Sequence, residues 1–232
     1  MDDFYSIFCF LVPLFYRVKP LADIELKSRL EGLARKANTG VQGIFILDYS
    51  SKVTAANAAL MGMGRTRRIV ISDTLIQQYS TPEIEVVTAH EIGHHVHRDI
   101  FRIFIVQSAV YLAGFKAVDT ALKAAIAPLG FHGTGDPAAL PLLALFFSVF
   151  SVLASPLIRT YSRHIESQAD QYALSLTDSP KAFIDAMTRL TDQNLAVAHP
   201  SIWEELLLYD HPSYNRRVEQ ARLYEWNKRK SR

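Results

Sequence analysis

His90, Glu91 and His94 stand in the order H-E-x-x-H within Val86–Asp99, VVTAHEIGHHVHRD. Residues four apart share one face of a helix, so both imidazoles can reach one ion while Glu91 sits beside that face, within reach of a metal-bound water. Zinc suits such a pair, because it takes neutral imidazole nitrogens at about 2.0–2.1 Å and needs no more than three protein ligands when catalytic. Val86, Val87 and Ile92 make the stretch apolar enough to be buried, and a buried helix does not carry two histidines and a glutamate without partners. His97 falls on the same face but about 10.5 Å along the axis from His90, so one helix cannot close all three around one ion. His95 points elsewhere. The third ligand must come from another segment.

Downstream, Glu166 and Asp170 lie four apart with the small Ala169 between them. After an H-E-x-x-H, this spacing places Glu166 to bind metal and Asp170 to orient a ligand histidine. His164 is about 200° around the same helix from Glu166, a poor rival if Glu166 points inward.

The elements that must position these groups are also legible. Ser80-Thr81-Pro82-Glu83 gives the motif helix its start, and Gly93 allows another backbone to come close. Leu26, Leu30, Leu33 and Ala37 predict an amphipathic helix over 21–38 that ends near Gly40. Val41–Leu47, Val53–Leu60 and Arg68–Ser72 read as a small antiparallel sheet, with Gly62-Met63-Gly64 as a turn. Ser72-Asp73 opens a short helix through Tyr79. Soluble helices are expected over Arg159–Leu176, from Ser179-Pro180 onward and over Ile202–Leu208, followed by a basic amphipathic tail from Pro212 to Lys230.

With 49% hydrophobic and 21% charged residues, and a mean hydropathy of +0.07, the composition points to some membrane-embedded length. Ala139–Ile158 has the uncharged length that a spanning helix requires. Ile103–Phe115 is a weaker partner, because Lys116, Asp119 and Lys123 interrupt its extension. Pro128–Pro137 joins the two without lysine or arginine, whereas Arg98 and Arg102 precede the pair and Arg159 and Arg163 follow it. The positive-inside rule makes both ends of this hairpin cytoplasmic. Phe4–Tyr16 is too short to span and reads as a membrane-associated anchor or the stub of a longer helix, with no cleavage site after it, against a buried core helix as the alternative. Cys9 is the only cysteine, which excludes an internal disulfide and a cysteine-based metal site. A net charge of +2 with no basic stripe argues against a nucleic-acid partner.

The ordered set of motifs resembles the integral-membrane zinc metallopeptidases typified by the type 1 CAAX prenyl endopeptidase and the HtpX heat-shock protease. It comprises Pro13-Leu14-Phe15 with Pro20-Leu21, Asn57-Ala58, Arg68-Ile69-Val70 before Ser72-Asp73-Thr74-Leu75, Ala89–His94, Glu166-x-x-Ala169-Asp170, and His211-Pro212 with Arg217. The resemblance implies one zinc per chain on His90, His94 and Glu166, Glu91 as the catalytic base, and a strand edge at Asn57-Ala58 that receives substrate. The histidine that prenyl endopeptidases carry just before that pair is absent here, with Ala55 and Ala56 in its neighbourhood.

The expected architecture is therefore mainly α with a small antiparallel sheet, a zincin-like metalloprotease. Residues 1–20 would be a membrane-associated segment and residues 21–232 the protease domain, interrupted by a membrane hairpin at about 101–158. The expected activity is endopeptidase cleavage of membrane-associated proteins or peptides at a bacterial-type cell membrane, with the catalytic part cytoplasmic. Glu91 would take the proton of the attacking water, and His211 or Arg217 would stabilise the oxyanion. The rival readings are a sensor protease with a single partner and a catalytically silent zinc-binding membrane scaffold. A structural zinc normally fills all four positions with protein ligands, and the sequence offers an obvious three.

Overall fold

The computed structural model describes residues 16–62 and 64–230; all of the Phe4–Tyr16 run except Tyr16, with Cys9, lies outside the described residues. The chain divides into two compact units. The first contains residues up to 98, 165–200 and 212 onward, and the second contains 99–164 and 201–211.

In the first unit, β1 (Val18–Pro20), β2 (Gly43–Leu47), β3 (Ala58–Met61) and β4 (Arg68–Ser72) form one sheet in the order β1-β2-β4-β3. The sheet is mixed, not antiparallel as its short runs suggest: β2 and β4 are parallel, from Gly43↔Arg68 to Leu47↔Ser72. The reason lies in the 48–57 connection, where the expected start of a strand at Val53 is irregular chain. The Asp73 carboxylate accepts from the backbone N–H groups of Tyr49 and Ser50 at 2.9 Å each, which holds this segment as a loop. Thus β3 begins only at Ala58 and pairs antiparallel with β4 on the side away from β2. Ile69, Val70 and Ile71 of β4 are all buried, as befits a strand flanked on both edges.

Helix α1 (Ile24–Lys36) is capped by Asp23, whose side chain accepts from the Leu26 N–H at 3.0 Å, and it buries Leu26, Leu30 and Leu33 as its spacing predicts. A short α2 (Asp73–Gln78) is capped by Ser72. The motif helix α3 (Thr81–Val96) packs on α1 and β3. Arg98, at φ 57, separates it from the next helix. The last turns of α5 (Leu140–Thr177), then α6 (Pro180–Gln193) and α8 (Tyr214–Lys230), complete this unit, with α6 packed against both α3 and α8.

The second unit holds α4 (Asp99–Ile126), the first part of α5, and α7 (Ile202–Leu208). Helix α4 does not stop at Lys116. Lys116, Asp119 and Lys123 recur at helical spacing and pair with one another, Lys123 Nζ meeting Asp119 Oδ2 at 2.9 Å, so the charges continue the helix. Likewise α5 runs unbroken through Pro156, joining the apolar run and the expected Arg159–Leu176 helix into 38 residues. A Cβ on Gly114 would collide with the Phe150 ring, and Phe115 and Phe147 meet edge to face at 5.8 Å, so the hairpin is closely packed along its seam. Both helices are long and apolar enough to cross a membrane, and only 6% and 11% of their most apolar stretches are buried. A core hairpin of a soluble protein would be mostly buried.

Candidate metal centre

The motif helix is fixed at its start. Ser80 and Glu83 form a capping box, with the Ser80 N–H donating to Glu83 Oε2 at 2.6 Å. Glu83 is 3% exposed and accepts from Arg189 Nε of α6 at 2.8 Å. Burial pushes its carboxyl up, but the bonds from Ser80 and Arg189 outweigh that and hold it below the usual range. Farther along, a Cβ on Gly93 would stand 3.3 Å from Ala169 Cα and from Tyr172 Cβ. The glycine and Ala169, which is fully buried, thus let α3 and the last turns of α5 approach closely enough to share a site.

There His90, His94 and Glu166 converge. His90 Nε2 lies 3.0 Å from His94 Nε2 and 3.2 Å from Glu166 Oε2, and His94 Nε2 lies 3.4 Å from Glu166 Oε1. Groups bound tetrahedrally at about 2.0–2.1 Å from one ion stand about 3.3–3.4 Å apart, so this spacing already suits a metal. The three form a group able to hold a metal ion, their donor atoms all within 4.8 Å of one another. His90 is 8% exposed, and its ring packs edge-on against His94.

Behind His90 stands a second layer. His90 Nδ1 meets Asp170 Oδ1 at 2.9 Å, and Asp170, fully buried, accepts from Arg217 Nε at 2.8 Å and from Arg217 Nη2. Burial opposes a proton on His90, yet hydrogen bonds to Asp170 and Glu166 dominate and push the imidazole up to about 10. A metal entering here must displace that proton. Burial likewise opposes ionised Asp170, but Arg217 and His90 hold its carboxyl below the usual range. Arg217 is kept charged against its own burial by Asp170, with further help from Glu166 and Glu91. Its guanidinium also lies 6.0 Å from the Phe183 ring centroid.

The other expected residues fall as follows. Arg217 gives two of its nitrogens to Asp170. His211 belongs to the second unit and pairs with Asp210 at 2.7 Å. His97 caps α3 and meets Tyr172 edge to face at 5.5 Å; burial and then Arg67 hold the His95 imidazole below its ordinary value. His164 is exposed. Asn57 adjoins β3, which among the described residues has β4 on one side and no strand on the other. Its C=O accepts from the Ser72 N–H and its N–H donates to Ser72 Oγ, each at 2.9 Å. Because antiparallel pairs alternate, the N–H and C=O of Ala58 then face the free edge.

Sequence reasoning missed Arg189 as the partner of Glu83, and the bond between Arg217 and Asp170. The first pair is 106 residues apart and the second 47, so no local spacing announces either.

Known proteins resemble this chain over most of its length. The profile of peptidase family M48 matches residues 20–225. An uncharacterized metalloprotease of Bacillus subtilis, YhfN, is 32% identical over 94% of this chain and 53% of its own length. CAAX prenyl protease 1 of Saccharomyces cerevisiae is 31% identical over 88% of this chain and 51% of its own. The crystal structure of S. mikatae Ste24p matches with a TM-score of 0.78 at 27% identity, over 93% of this chain and 54% of that one. The chain thus spans about half the length of the relatives it matches. Match to the family profile over most of its length establishes that the chain belongs to peptidase family M48.

Proposed function

We propose that this protein is a membrane-associated zinc endopeptidase that cleaves proteins or peptides, with His90, His94 and Glu166 as the zinc ligands. The observation that carries the reading is the convergence of those three donor groups, with Asp170 and Arg217 aligned behind His90. Zinc is favoured over harder cations because two of the three donors are imidazoles. When bound, zinc supplies Lewis acidity to the scissile carbonyl and lowers the pKa of a water beside it.

Glu91 takes the proton of the attacking water and passes it to the leaving nitrogen. Asp170 fixes the ring orientation and tautomer of His90, so that Nε2 points at the metal, and Arg217 fixes Asp170. The free edge of β3 binds substrate as an added strand, the Ala58 backbone groups holding its main chain in register. The arginines at both ends of the hairpin support a cytoplasmic catalytic part.

The test is Glu91→Gln in the full chain reconstituted in lipid. It is expected to keep one zinc per chain and to lose peptide hydrolysis, because the ligands stay and the base goes. Equal turnover by the variant and the native protein would sink the reading.

A further inference from the structure

We propose that α7 is a membrane-interface anchor: its Ile202, Trp203 and Leu207 lie in the headgroup and upper acyl region of the bilayer that the α4–α5 hairpin crosses. The inference rests on the membrane reading of that hairpin and adds a second, flat-lying contact to it.

Helix α7 has seven residues, IWEELLL, too few to be stable alone in water. It is held at both ends. Ser201 and Glu204 form a capping box at its start. At its other end two arginines of α5 bind the last carbonyls: Arg159 Nη1 donates to Leu208 O at 2.8 Å, and Arg163 Nη1 donates to Glu205 O at 2.8 Å and to Tyr209 O at 2.6 Å. Cations at a helix C-terminus satisfy its unpaired carbonyls and oppose its dipole.

What these contacts hold in place is an apolar face turned outward. At 3.6 residues per turn, Ile202, Leu206, Trp203 and Leu207 span a continuous arc of about 140°. Ile202 is 77% exposed, Trp203 71%, Leu207 47% and, past the exposed Glu204, Leu208 66%, whereas Glu205 is 6% exposed, so the helix rests on the Glu205 side and leaves its apolar residues outward. An oriented, exposed face of tryptophan and aliphatic residues needs an apolar occupant.

Its position selects the bilayer. Arg159 directly follows the uncharged Ala139–Ile158 run, and Arg163 lies one turn beyond, so both tethers fall within about 6 Å of the end of the hydrocarbon span. A cavity of about 370 Å³ between α4 and α5 places Gln107, Arg159 and Asp210 beside Ile103, Val106 and Ile158, so polar and apolar groups meet at this end. Tryptophan beside arginine at the end of a spanning helix is the composition of a membrane–water boundary. A helix held there, with its apolar face outward, lies in the interface plane.

The experiment uses the full chain with Trp226→Phe, which leaves Trp203 as the sole tryptophan, in phosphatidylcholine vesicles. At the interfacial depth of 5–10 Å, Trp203 emission is expected to fall about twofold when the acyl chains carry bromine near the headgroup, and less when bromine is near the bilayer centre. Should Trp226→Phe fail to fold, the emission difference between native protein and Trp203→Phe gives the same reading. Protein that floats with the vesicles but whose Trp203 emission ignores brominated lipid overturns the anchor and leaves the hairpin standing, whether or not aqueous iodide quenches it. Protein that does not float with the vesicles overturns both.

Discussion

Asn in place of Asp170 keeps the shape of the side chain and removes only its charge and one acceptor, which isolates what the carboxylate does. Asp170 Oδ1 stands 2.9 Å from His90 Nδ1 on one side, and the carboxylate accepts from two nitrogens of Arg217 on the other. An amide cannot serve both. With its NH₂ toward Arg217, donor meets donor, and the guanidinium, whose side chain is 14% exposed, loses part of its countercharge. With its NH₂ toward His90, it donates to Nδ1, so the neutral ring must carry its proton on Nε2, the atom that faces His94 and Glu166. Losing such an orienting partner costs 10–100-fold in metal affinity, about 1.4–2.7 kcal/mol. Breaking a buried pair from one side costs about 3–5 kcal/mol of fold stability, of which the amide's remaining acceptor recovers part. The two effects separate in Asp170→Leu/Arg217→Met, which removes the stranded charge but leaves His90 Nδ1 without an acceptor. Urea midpoints are expected to fall for Asp170→Asn and to recover partly in the double variant. Competition with a chromophoric chelator should show weakened zinc in both. If zinc affinity returned with stability in the double variant, Asp170 would act through the fold and not through His90.

Three further outcomes follow from the structure. Glu83 has a depressed folded pKa, so its contribution to stability is present above its unfolded value near 4.5 and is lost as pH falls through the folded value. Native protein is therefore expected to exceed Glu83→Gln in urea midpoint at pH 7, with the gap closing as pH falls below 4.5 and through the lowered folded value; a gap constant across that range would refute the role of the charge. Gly114→Val drives a side chain into the Phe150 ring and should cost about 1–3 kcal/mol of hairpin stability, recovered by adding Phe150→Ala, as read by thermal unfolding in detergent. Ala58→Pro removes a backbone donor from the free edge of β3 and is expected to raise KM or lower kcat/KM with zinc retained, and unchanged kinetics would move substrate binding away from this edge.

Local pattern was enough for some of these features and not for others. The α7 bounds, the β4 bounds and the start of α3 were each written in a few adjacent residues: a capping serine three before a glutamate, or a β-branched run before Ser72. The sheet was misread because pairing is not local. Nothing in Val53–Leu60 reveals that Asp73 will hold the backbone of Tyr49 and Ser50 as a loop, and that loop decides where β3 begins. The end of α4 was misread for the opposite reason. Lys116, Asp119 and Lys123 look like a break in an apolar run when counted singly, and like one stripe of a helix when their spacing is considered.

The same distinction explains the candidate site. His90, Glu91 and His94 share one helical face, so their chemistry is stated by spacing alone, and Glu166 with Asp170 repeats that logic on a second helix. What spacing cannot state is which of these groups a distant arginine will stabilise. Arg217, expected with His211 as a possible oxyanion stabiliser, turns two nitrogens onto Asp170. The burial of that carboxylate requires it: a fully buried charge needs a permanent countercharge, and arginine remains charged where lysine or histidine would yield its proton. The demand therefore follows from the burial of Asp170. The residue that meets it was visible only in the fold.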